Sequence, residues 1–174
     1  MNNRIRTGFL EAQEREGRAL EAASDIFSLE TLGPSPHQRF VARFELRTVV
    51  LADGAPREAD GVCAVGIWLA PEYHLRVVVP QVLTFLGPRE LFHPNVKGPF
   101  VCLGDLVPGT PLAELVFRIH AVLSYRNYGL RRPLNGAAAA WARRNLDRFP
   151  TDTRPLKRRA GKFDTQVRER NGAA

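Results

Sequence analysis

The amino-acid sequence predicts an α+β domain, on three observations. Residues 7–24 (TGFLEAQEREGRALEAAS) are rich in Glu, Ala, Leu and Arg, which favour a helix. From Phe40 onward, apolar side chains alternate with charged ones at a period of two, the mark of a half-buried strand. Further on, Leu112, Leu115, Val116, Ile119, Val122 and Leu123 recur at helical spacing and form an apolar stripe. The predicted order is an N-terminal helix, a four-stranded antiparallel meander, a cysteine-bearing loop and C-terminal helices.

In the first helix Gly17 interrupts a run of good helix formers. A break follows at Leu32-Gly33-Pro34-Ser35-Pro36. The first predicted strand places Phe40, Ala42, Phe44, Leu46 and Thr48 on one face and Arg43, Glu45 and Arg47 on the other. Ala52-Asp53-Gly54-Ala55-Pro56 carries turn residues. A second strand is predicted over residues 61–70 (GVCAVGIWLA) and a third over 75–79 (LRVVV). Pro80 interrupts that run, and VLTFL follows as an edge or fourth strand. Pro111 suits the first position of the next helix. The loop NYGLRRPLN ends it, and Asn135 is placed to cap a second helix, GAAAAWARRNL. Trp68 and Trp141 read as core or interface anchors. Past Phe149 periodicity is lost while Pro, Lys, Arg and Gly accumulate. The domain is thus expected over residues 1–150, with a basic, mobile tail over 151–174.

With 174 residues, 44% of them hydrophobic, the chain is long enough for one domain with a real core. No stretch approaches the roughly 20 apolar residues that span a bilayer, and the N-terminus lacks the apolar region of a secretory signal. Two cysteines, Cys63 and Cys102, make no disulfide scaffold. A reducing, cytoplasmic compartment is expected, where a free thiol persists. The formal charge is +7. Residues 154–174 hold seven basic and two acidic side chains, so the remainder is close to neutral. That argues against a nucleic-acid binder built on the whole domain. The basic tail reads most simply as a solvated terminus, and otherwise as a segment that steers an acidic protein surface or touches nucleic acid.

Four histidines (His37, His74, His93 and His120) show no paired ligand spacing, so no metal is predicted. A cysteine protease would need a histidine such as His120 brought to Cys102 and oriented by a third group. Cys63 alternates with Val65, Ile67 and Leu69 and reads as core.

The chemistry concentrates in LFHPNVKGPFVCLGDL, where Cys102 follows His93-Pro94-Asn95 by seven residues. A thiol and an amide on one short loop allow the cysteine to carry an acyl group. A neighbouring donor would then meet the oxyanion formed when that group is attacked. The plainer alternative for Cys102 is an inert core thiol.

Together with the preceding meander, Glu72-Tyr73, Pro80 and the helix that follows, this run resembles the active-site stretch of the ubiquitin-conjugating enzymes. The resemblance covers residues 7–149. It implies that Cys102 accepts the C-terminus of a ubiquitin-like protein as a thioester and passes it to an amine or another thiol. It implies that Asn95 stabilises the oxyanion or holds the loop, that His93 braces the turn, and that Pro94 sets the chain direction. The implied partners are a ubiquitin-like protein, an activating enzyme and a protein substrate. No cofactor is implied, since ATP is used by the upstream activating enzyme. Four departures stand against the family pattern: Gly104 displaces the usual acid to Asp105, the stretch from Asn95 to Cys102 is slightly short, and the tryptophan that commonly follows is absent. The fourth is that Arg131 and Arg132 occupy the loop where many members carry an acidic or serine residue that helps deprotonate the attacking lysine. The departures point to a divergent, bacterial member. Bacterial relatives work with a metal-dependent deconjugase, often in anti-phage defence, and that role is implied by the family alone. The competing expectation is a non-catalytic scaffold of the same fold that binds a ubiquitin-like protein or another partner.

Overall fold

The computed structural model describes residues 3–158. Helix α1 (Asn3–Ala22) leads into strands β1 (Phe27–Leu32), β2 (Arg39–Ala52) and β3 (Ala55–Trp68). A single turn, α2 (Val79–Val82), precedes β4 (Leu83–Gly87), and the two-residue strands β5 (Val96–Lys97) and β6 (Phe100–Val101) form a small hairpin. Helices α3 (Leu112–Leu123) and α4 (Gly136–Arg143) follow, then a 3₁₀ turn at Leu146–Arg148. The main sheet runs β1-β2-β3-β4, antiparallel throughout. Strands β2 and β3 are 14 residues each, and pairing of Ala52 with Ala55 leaves Asp53-Gly54 as a two-residue turn.

The alternation on β2 is realised: Phe40, Ala42, Phe44, Leu46 and Thr48 are buried, while Arg43, Glu45 and Arg47 are exposed. Cys63 on β3 is buried as well, and that burial pushes its thiol up to about 12. The membership of the meander differs from the sequence expectation. Residues 75–79 form no strand, since Leu75 and Val78 are exposed and the preceding backbone turns on itself, with Leu75 and Arg76 donating to the Glu72 carbonyl. Pro80 has no N–H for a ladder and stands in the first turn of α2 instead. The missing strand is β1, whose buried Phe27 and Leu29 alternate with exposed Ser28 and Glu30.

Helix α1 begins at Asn3, earlier than residue 7, and Gly17 lies where it crosses its neighbours. A Cβ there would meet Leu29 at 2.6 Å and Leu112 at 3.1 Å, so the glycine permits the close approach of α1 to β1 and α3. The buried Gln13 side chain accepts from the Leu112 N–H at 2.6 Å and ties α1 to the start of α3. Pro111 is the cap residue of α3 rather than its first helical position. Asn135 caps α4, its side chain accepting from the Ala138 N–H at 3.1 Å.

Two cores result. The larger lies between α1, α3 and the inner face of the sheet. The smaller joins Val49, Phe92, Tyr125, Ala138 and Ala142, with Tyr128, Trp141 and Phe149 packed against it. Trp68 is partly exposed under the Arg39 guanidinium, 5.2 Å from its ring centroid.

The expected boundary at residue 150 falls inside packed structure. Thr151, Asp152 and Leu156 are buried, Leu156 within the larger core. The Arg158 N–H donates to the Ala23 carbonyl at 2.8 Å and its guanidinium to that of Ala22 at 2.6 Å, so this segment closes the end of α1. Loss of apolar periodicity hid a segment held by one leucine and polar bonds. The rest of the expected tail, 159–174, lies outside the described residues. Among the described residues no helix is long and apolar enough to cross a membrane.

Candidate functional site at the Cys102 loop

After β4 the chain makes the turn Phe92-His93-Pro94-Asn95. His93 is fully buried and its Nδ1 accepts from the Asn95 N–H at 3.0 Å, which puts the ring proton on Nε2. Nε2 faces the Val122 carbonyl without a well-formed hydrogen bond. Burial drives the His93 pKa down to about 3, with only partial compensation from that carbonyl. The ring is therefore neutral near pH 7 and a poor proton acceptor. It packs edge-on against Tyr125, centroids 4.2 Å apart. Tyr125 donates its hydroxyl to the Phe92 carbonyl and stacks on Phe149 at 4.4 Å, so the smaller core supports the turn from beneath.

Asn95 joins two loops. Its Nδ2 donates to the Cys102 carbonyl at 3.1 Å, and its Oδ1 accepts from the Gly129 N–H at 2.6 Å. Its own carbonyl accepts from the Cys102 N–H at 2.8 Å. An amide nitrogen carries two N–H groups, and the second has no partner among the described residues. Asn95 is thus a loop brace that keeps one donor in reserve.

Val101 and Leu103 are buried on either side of Cys102, which stays partly exposed with a free thiol. Gly104 then takes φ +80, a left-handed conformation that turns the chain away at once. This accounts for the displaced acid: Asp105 follows the turn, exposed, and its carbonyl accepts from Arg118 on α3 at 2.8 Å. Glu114 orients that guanidinium from one turn earlier, at 2.6 Å. Tyr73 anchors the far end of the segment by donating to the Thr110 carbonyl at 2.7 Å.

The structure brings His93, Pro94, Asn95 and Cys102 into one constellation. Pro94 contributes a carbonyl that accepts from the Leu134 and Asn135 N–H groups at 2.8 and 3.1 Å, fastening the end of the 127–135 loop to the turn. His120 does not join them. It is buried against Phe44, 6.3 Å between centroids, and burial lowers its pKa to about 4. Sequence reasoning missed the Gly129 N–H, Tyr125 and Arg118. A backbone donor leaves no side-chain signal, and Tyr125 and Arg118 read as ordinary helix and loop residues until the fold apposes them. Among the described residues, no three His, Cys, Asp or Glu side chains gather as a metal site.

The helix, the four-stranded antiparallel sheet, the cysteine-bearing loop and the closing helices make up the α+β fold of the ubiquitin-conjugating enzymes. Among the solved structures it is similar to is the E2 domain of a ubiquitin conjugating enzyme from Toxoplasma gondii. That likeness has a TM-score of 0.55 at 18% sequence identity and covers 82% of this chain and 89% of that one. At such an identity the likeness is one of fold. No protein-family model matches the chain, and no curated protein matches its sequence.

Proposed function

We propose that this chain is a ubiquitin-conjugating-type acyl transferase. Cys102 carries the C-terminus of a ubiquitin-like protein as a thioester and passes it to an amine of a target protein. The observation that supports this reading is that Asn95 braces the backbone carrying a partly exposed thiol and retains a second amide N–H. Charging exchanges one thioester for another: the Cys102 sulfur attacks the carbonyl, and the activating enzyme's thiol leaves. Discharge passes through a tetrahedral oxyanion, which Asn95 meets with its second amide N–H in this reading. His93 holds the turn as a neutral ring. The partners are a ubiquitin-like protein, an ATP-using activating enzyme and a protein substrate. The pathway is a bacterial conjugation system with a metal-dependent deconjugase and an anti-phage role. The chain itself needs no cofactor.

The test mixes the protein with a ubiquitin-like protein and its activating enzyme, plus ATP, and reads intact mass and non-reducing gels. A thiol-labile adduct that is lost in Cys102→Ser is the expected result. Non-covalent binding of the modifier with no adduct would overturn the carrier reading in favour of a scaffold of the same fold.

A further inference from the structure

Exposed cations gather on the two loops that Asn95 joins. The 127–135 loop is fastened at Gly129 to Asn95 Oδ1 (2.6 Å) and at Leu134 and Asn135 to the Pro94 carbonyl (2.8 and 3.1 Å). Consecutive Cα atoms are about 3.8 Å apart, so Arg131 and Arg132 each lie within about 8 Å of one of these fastenings. Asn95 in turn touches the Cys102 carbonyl at 3.1 Å. Arg143 adds its guanidinium to the same loop by donating to the Leu130 carbonyl. Lys97 sits on β5, in the hairpin whose other strand runs directly into Cys102. All four cations are exposed, and none pairs with a carboxylate among the described residues. Of the neighbouring cations, Arg118 is held by Glu114 and Arg148 by Glu58. Asp105 is the one acid in the run that leads away from the thiol to α3's first residue.

We infer that the acceptor is an acidic segment, a lysine flanked by Asp and Glu, held by Arg131, Arg132, Arg143 and Lys97 beside Cys102. This rests on the reading of Cys102 as a thioester carrier. In the transfer, the lysine nitrogen attacks the thioester carbonyl. The C–N bond forms to give the tetrahedral oxyanion, its collapse breaks the C–S bond, Cys102 leaves as thiolate, and the proton of the amine passes to water. The four cations attract the flanking carboxylates and disfavour the ammonium form of the approaching lysine, which must lose a proton to react. They supply by repulsion part of what a carboxylate on this loop would supply by proton acceptance.

The test needs no activating enzyme. The full chain is mixed with either of two cysteine peptides activated as thionitrobenzoate disulfides, one flanked by Asp and Glu, the other by Arg. The Cys102 thiolate attacks the peptide sulfur and thionitrobenzoate leaves as a coloured anion, so the rate is read by absorbance. Cys102→Ser supplies the background. The acidic peptide should react about tenfold faster at low ionic strength. The ratio should fall toward one at about 1 M salt, where the Debye length is about 3 Å. In the Arg131→Glu/Arg132→Glu double variant the ratio should collapse or invert, and taking a ratio cancels any change in the thiol itself. A ratio near one at low salt, or one that the double variant leaves unmoved, overturns the inference. So does short duplex DNA that outcompetes the acidic peptide, which would make these loops a nucleic-acid surface. Absence of a preference sinks the acidic acceptor alone, whereas failure of the adduct assay sinks the carrier reading.

Discussion

Replacing Asp152 by Asn tests how the segment after Pro150 is held. The Asp152 carboxylate is buried and accepts from the Arg47 N–H (2.9 Å), the Arg154 N–H (2.8 Å) and the Arg154 guanidinium (2.6 Å). Burial by itself would raise its pKa. The bonds from Arg154 and Arg47 outweigh that, and the group titrates at about 2 against an ordinary 3.8. A little under two units at about 1.4 kcal/mol each gives roughly 2 kcal/mol for the charged form. Because the folded value is depressed, this stability is fully present above about pH 4 and lost as pH falls toward 2. Asn keeps the shape and removes the charge. At neutral pH, Asp152→Asn should therefore lower Tm by about 4–8 °C, taking about 2–4 °C per kcal/mol for a chain of this size. Circular dichroism melts from pH 7 down to pH 2 would show the gap between parent and variant closing as the parent's carboxylate is protonated. A gap that stays as wide at pH 2 would mean that shape, not charge, holds the segment. No gap at pH 7 would refute the linkage altogether.

Two further outcomes follow from the thiol loop. Asn95→Ala removes the donor beside Cys102, and single-turnover discharge of the thioester to a lysine amine should slow by about 10²–10³, far more than charging does. An equal loss in both steps would assign Asn95 to loop bracing alone. The His93 imidazole, buried with a pKa of about 3, should show no titration of its NMR ring signals between pH 8 and pH 5. A midpoint near 6.5 would mean that the turn opens to solvent.

The regular parts of the fold were legible because their periodicities are long and clean. The alternation on β2 and the apolar stripe of α3 each span many residues, so the faces they bury follow from spacing alone. One strand was misread and another left unassigned, because local apolarity stood in for burial. LRVVV looks like a strand, yet the Glu72 carbonyl captures two of its N–H groups and Leu75 faces solvent. FSLETL looks too polar and too short, yet pairing with β2 secures it. Gly17 was a weakness by helix propensity and is the contact point once α1 lies on Leu29 and Leu112. At the site, the side chains of the His-Pro-Asn turn and Cys102 were visible by spacing. The Gly129 N–H and the support of Tyr125 come from residues more than 20 positions on, and only tertiary structure brings them there.

The contact of Arg158 with Ala22 and Ala23 has a consequence for synthesis. The carbonyls that end the first helix wait for a residue made 136 positions after Ala22. At about 5–20 residues per second, that interval is on the order of ten seconds. The sheet that covers Leu10 and Leu20 is complete in sequence at Gly87, about halfway through that interval, whereas the clasp is still to be made. The end of the first helix is thus sealed by the last of the described residues to be made, so a truncation before Arg158 would leave those carbonyls to water.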